Sequence, residues 1–127
     1  LTKTAIADRV YLFNGIYTPA ETKAIIGQFD MLISGRVHAA VAGLSQSVPT
    51  MIIDYGHEPK AHKLRGFAQV ANVERYVADP HSFSDMISKA FEVYENRKGI
   101  RRMLIDRNKE IKALIKQNFD LLKTIVK

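Results

Sequence analysis

The 127-residue chain has no cysteine and no tryptophan, and only four prolines. Without cysteine it can form no disulfide, no thiolate zinc site and no cysteine nucleophile, a usage compatible with the cytoplasm. No stretch approaches the roughly 18 consecutive apolar residues of a membrane span. No basic-then-apolar signal segment opens the chain. The GxGxxG, P-loop and GxSxG patterns are all missing, which removes the usual signatures of dinucleotide binding, NTP hydrolysis and serine hydrolysis.

What is present suffices for a core. Hydrophobic residues make up 46% and charged residues 25% of the chain, which argues against disorder and for one domain. The net charge of +6 is unevenly spread. Residues 97–127 hold ten Lys and Arg against three acids, whereas residues 1–96 hold nine against ten. The chain is a near-neutral body with a basic tail.

Short apolar runs alternate with helical patterns. Val10–Phe13 reads as a strand. Thr18, Pro19 and Glu21 form a capping box that opens a helix through about Phe29. Met31–Ser34 reads as a second strand, Arg36 to Ser45 as a helix of small residues, and Thr50–Asp54 as a third strand. Lys60–Val70 follows helical spacing, Arg75–Ala78 is a short fourth strand, and Ser82 with Asp85 starts a helix to about Asn96. Apolar strands each followed by a helix are the pattern of a parallel sheet covered on both faces. The expected fold is therefore α/β and Rossmann-like, with helices on both faces over residues 1–98. From Gly99 to 127, apolar residues recur at helical spacing with Lys and Arg between them, giving one long amphipathic helix or two broken near Gly99. Four strands make a thin sheet, and residues 1–9 read as the end of a preceding element. The chain is expected to be the C-terminal part of a larger protein.

The basic tail is read as a solvated helix face rather than a nucleic-acid site, since Phe119 is its only aromatic residue. Peripheral contact with an anionic membrane is the alternative.

Ligands of open parallel sheets bind at the carboxyl ends of the strands, against helix N-termini. Here these places hold Ser34-Gly35-Arg36-Val37-His38 and Asp54-Tyr55-Gly56-His57-Glu58-Pro59-Lys60. Gly35 would permit a tight turn, and Arg36 offers a planar fork for carboxylate or phosphate. His38 is a group able to transfer protons near neutral pH. His57 and Lys60 would face the same rim, and Tyr55 would lend a hydroxyl, stack on a sugar or pack at a strand end. His57 to His62 has three residues between Glu58 and His62 where the zinc-protease motif has two, and Pro59 interrupts the helix, so zinc is rejected.

The run from Leu32 to Phe67 resembles the C-terminal signature of the polysaccharide pyruvyl transferase family. In that signature a strand ends in Ser-x-Arg-x-His-Ala, a small-residue helix leads to Val-Pro, and a strand and a His/Lys-bearing loop follow. Ser34, Arg36, His38, Ala39, Val48, Pro49, His57 and Lys60 fall on the matching positions. Val37 stands where the family usually has Leu or an aromatic residue. The resemblance implies the C-terminal half of a GT-B-type two-domain fold, whose own N-terminal domain supplies much of the acceptor site. It implies transfer of the pyruvyl group of phosphoenolpyruvate to a pair of sugar hydroxyls of a cell-surface polysaccharide or its precursor, forming a ketal. Arg36 would hold the donor and His38 would be the acid/base. Ser34, Gly35, Tyr55, His57 and Lys60 would be binding contacts. No metal or other cofactor is required, phosphoenolpyruvate being a donor substrate. The implied location is the cytoplasm or the inner face of the membrane, and the chain alone is expected to be inactive. The alternatives are the nucleotide-sugar half of a GT-B glycosyltransferase, a sugar-nucleotide epimerase, or a non-catalytic binding module of the same fold.

Overall fold

A computed structural model describes residues 8–55 and 63–126. It is a mixed α/β structure around a small parallel sheet. The elements in chain order are α1 (Pro19–Gly27), β1 (Leu32–Ser34), α2 (Val37–Ser45), β2 (Thr50–Ile53), α3 (Lys63–Val70), a 3₁₀ turn (Glu74–Tyr76), β3 (Val77–Ala78), α4 (Phe83–Glu95) and α5 (Arg97–Ile125).

The sheet runs β1-β2-β3, with Ile33 paired to Met51 and Ile52 to Val77. Successive strand residues point to opposite faces, so the burial of Thr50, Met51 and Ile52 together shows that both faces of β2 are covered. One cover is α2. Its Gly43 comes so close to the sheet that an added Cβ would stand 2.7 Å from Leu32 Cδ2 and 3.0 Å from Thr50 Oγ1. Thr50 is fully buried and satisfies its hydroxyl by donating to the Val48 carbonyl at 2.8 Å. On the opposite face α4 packs against β2 and β3, and Val93 of α4 is completely enclosed.

Local signals account for where the helices start. The capping box at α1 is complete: the Glu21 N–H donates to Thr18 Oγ1 (3.2 Å) and the Thr18 N–H donates to Glu21 Oε2 (2.8 Å). Ser82 caps α4 by accepting from the Asp85 N–H, and the Asp85 carboxylate accepts from the Asp79 N–H at 2.9 Å.

Helix α5 is unbroken through Gly99, and the preceding break falls at Asn96. Its 29 residues span about 43 Å at 1.5 Å each. Ile100 and Leu104 enter the common core, while nearly everything from Lys112 onward is exposed. Several of its polar side chains strap it to the body. Arg101 donates to the Phe29 carbonyl, Arg107 to that of Val70, and Asn108 to that of Leu44. Part of the basic tail is thus structural, because guanidinium groups satisfy carbonyls left over at the ends of other elements. Among the described residues, no helix is long and apolar enough to cross a membrane.

Two strand expectations are corrected. Val10–Phe13 lies outside the sheet, with exposures from 61% to 84%. Apolar content alone does not hold a four-residue strand, since ordering its backbone costs free energy that only a hydrogen-bonded neighbour and buried faces offset. Among the described residues the sheet therefore has three strands instead of four. The segment Arg75–Ala78 is half 3₁₀ turn, and only Val77–Ala78 pairs. Tyr76 N–H turns back to the Val73 carbonyl (2.9 Å) instead of joining the ladder.

Candidate functional site

The β1–α2 junction is built by Ser34. Its side chain is 8% exposed. Ser34 Oγ accepts from the Arg36 N–H (3.0 Å) and donates to the Arg36 carbonyl (3.2 Å). This clasp turns the chain at Gly35 and leaves Arg36 as the extended N-cap residue of α2. No side chain caps α2, so its first N–H groups remain available for an anion. The start of α1 is already neutralised by Glu21, whose carboxyl is held below its usual pKa chiefly by the Thr18 N–H and then by the Thr18 hydroxyl.

Gly35 serves a different purpose from the one its sequence suggests. No described glycine has positive φ, so the turn does not need its conformational freedom. What it supplies is space: a Cβ there would stand 2.1 Å from Tyr55 Cε2. The Tyr55 ring, at the end of β2, lies directly over Gly35. The ends of β1 and β2 are thereby brought together.

Arg36 and His38 open into one cleft of about 700 Å³ between α1 and α2. Its other lining residues include Tyr17, Thr22, Lys23, Ile26, Val41 and Ala42. Tyr17 folds over Gly15, and its ring meets that of Phe13 edge-on with centroids 6.5 Å apart. Among the described residues, no acidic side chain lines the cleft. Among the described residues, the side chains of Lys23, Arg36 and His38 have no hydrogen-bond or ion-pair partner. The cleft is thus an apolar trough with two basic side chains and an imidazole, suited to a small organic anion.

The sequence-derived residues are placed unequally. Arg36 and His38 share the cleft, and Ser34 and Gly35 form the turn behind it. Tyr55 packs on that turn without lining the cleft. His57 and Lys60 lie outside the described residues. Among the described residues, no three His, Asp or Glu side chains are grouped to hold a metal ion.

Tyr17, Thr22 and Lys23 were missed by sequence reasoning. The capping box at Thr18 marks where their helix starts, but that this start lies beside α2 is set by tertiary packing.

No curated protein and no solved structure matches the chain. A family model does match over a continuous segment that includes β1, α2, β2 and the Ser34–His38 turn: residues 3–57 of this chain match polysaccharide pyruvyl transferase.

Proposed function

We propose that the chain is the donor-binding domain of a polysaccharide pyruvyl transferase-like enzyme, the C-terminal half of a GT-B-type pair. The carrying observation is that Arg36 and His38 open into one cleft beside the uncapped start of α2, within the segment that matches the family.

In this reading phosphoenolpyruvate lies in the cleft with its carboxylate on the Arg36 fork. His38 gives a proton to the terminal enol carbon, which becomes the methyl group. A sugar hydroxyl attacks the adjacent, oxocarbenium-like carbon, and the bond from that carbon to the phosphate oxygen breaks. A second hydroxyl closes the ketal. Of the two hydroxyl protons released, one restores His38 and the other leaves on phosphate, so the reaction balances without a metal or redox cofactor. Tyr17 offers a ring face to the acceptor. Ser34 and Gly35 shape the turn, and Tyr55 packs on it. A preceding domain facing the cleft completes the acceptor site, so this chain binds donor without turning it over. The protein acts in the cytoplasm, at the inner face of the membrane where its acceptor is a lipid-linked precursor of a cell-envelope polysaccharide.

The test is a thermal-shift comparison of phosphoenolpyruvate with UDP- and GDP-sugars. Phosphoenolpyruvate at 100 times its Kd is expected to stabilise the chain by about 2.7 kcal/mol, and Arg36→Ala to abolish the shift. Stabilisation by a nucleotide sugar and none by phosphoenolpyruvate would overturn the proposal in favour of a glycosyltransferase or epimerase half.

A further inference from the structure

Lys23 projects from α1 into the same cleft as Arg36 but belongs to a different helix and lies outside the Ser-x-Arg-x-His-Ala turn. We infer that Lys23 is the second anion anchor of the site and receives the phosphate of the donor while Arg36 holds its carboxylate. The inference rests on the function proposed above.

Three observations converge on it. First, the cleft holds a lysine and an arginine and, among the described residues, no carboxylate in its lining. The nearest acid in sequence, Glu21, is committed to Thr18, with its Oε2 accepting at 2.8 Å from the backbone and 2.9 Å from the hydroxyl. Two like charges sharing one trough repel each other, and a ligand with two anionic groups removes that repulsion.

Second, the two cations differ in the geometry they recognise. A guanidinium is a planar fork that matches a carboxylate edge, whereas an ammonium is a compact charge that serves a phosphate from several directions. A donor with one carboxylate and one phosphate uses both. Third, the two groups approach from opposite walls, Lys23 from α1 and Arg36 from the start of α2. A ligand held by both is fixed along its length in the cleft that His38 also lines. The phosphate gains charge as its bond to carbon breaks. Lys23 therefore interacts more strongly in the transition state than with bound donor.

Calorimetric titration of the chain with phosphoenolpyruvate and, separately, with inorganic phosphate tests this. Lys23→Gln is expected to weaken phosphoenolpyruvate binding at least tenfold and to abolish phosphate binding, with Lys23→Arg restoring affinity to within about threefold. Lys23 is exposed, so the unliganded melting temperature should not move, and this separates binding from folding. Arg36→Ala serves as the discriminating control. If Arg36→Ala abolishes donor binding and Lys23→Gln leaves it unchanged, the role of Lys23 is overturned and the site reading stands. If neither substitution changes donor binding, both are overturned.

Discussion

Glycine-to-alanine substitutions at positions 43 and 66 should change stability in opposite directions, although both lie in α-helices. Alanine is favoured over glycine in a helix interior by about 1 kcal/mol, mostly because glycine loses more backbone freedom on folding. At Gly66 of α3 an added Cβ meets no described residue within 4 Å. The full propensity gain should therefore appear, about 0.5–1 kcal/mol. At Gly43 the methyl would stand 2.7 Å from Leu32 Cδ2 and 3.0 Å from Thr50 Oγ1. The leucine methyl is the end of a flexible side chain and can swing aside. Thr50 cannot, since it is 0% exposed and its hydroxyl is tied to the Val48 carbonyl. Either α2 backs away from the sheet or the threonine leaves its hydrogen bond, and overpacking of this kind costs about 1–3 kcal/mol. The packing cost outweighs the propensity gain, so Gly43→Ala should be net destabilising by roughly 1 kcal/mol. Urea unfolding monitored by circular dichroism reads both changes. With an m-value of about 1.5 kcal/mol/M, the midpoint should fall by roughly 0.7 M for Gly43→Ala and rise by about 0.5 M for Gly66→Ala, with m unchanged. A rise in midpoint for Gly43→Ala equal to that of Gly66→Ala would refute the close approach of α2 to the sheet.

Two further outcomes are expected. Ser34→Ala removes both hydrogen bonds that shape the β1–α2 turn and leaves the Arg36 N–H without its acceptor. It should cost about 1–2 kcal/mol in urea unfolding and weaken phosphoenolpyruvate binding several-fold by releasing Arg36. An unchanged affinity would mean that the turn does not position the guanidinium. The second outcome concerns acid. Glu21 is held below its usual carboxylate pKa chiefly by the Thr18 N–H, and Asp85 by the Asp79 N–H and then Lys89. A depressed folded pKa gives stability that is fully present above the unfolded carboxylate value and is lost as pH falls through the folded one. Melting temperature should therefore decline as pH drops below about 4, and Glu21→Gln with Asp85→Asn should flatten that decline. An identical pH slope in the double variant would contradict both capping assignments.

Sequence and structure divide the explanation between them at particular residues. The starts of α1 and α4 were legible because capping is local: Thr18 with Glu21, and Ser82 with Asp85, meet partners three residues away. The turn Ser34–His38 and the burial of β2 were legible for the same reason, as short apolar runs and a motif of fixed spacing. The strand at Val10–Phe13 was not, because a strand exists only with a neighbour, and pairing is decided far along the chain. The purpose of Gly35 was also hidden, since the ring that fills its Cβ space comes from Tyr55, twenty residues on. So was the part played by Arg101 and Arg107, whose charge suggested solvent but whose donors meet the carbonyls of Phe29 and Val70.

The sequence by itself determined the alternation of elements, the absence of cysteine chemistry and the pairing of Arg36 with His38 in one turn, all properties of neighbours in the chain. The tertiary structure decided that the site has a second wall. Lys23 and Tyr17 reach the cleft only because α1 packs alongside α2, a contact set by buried Ile26 and Gly43.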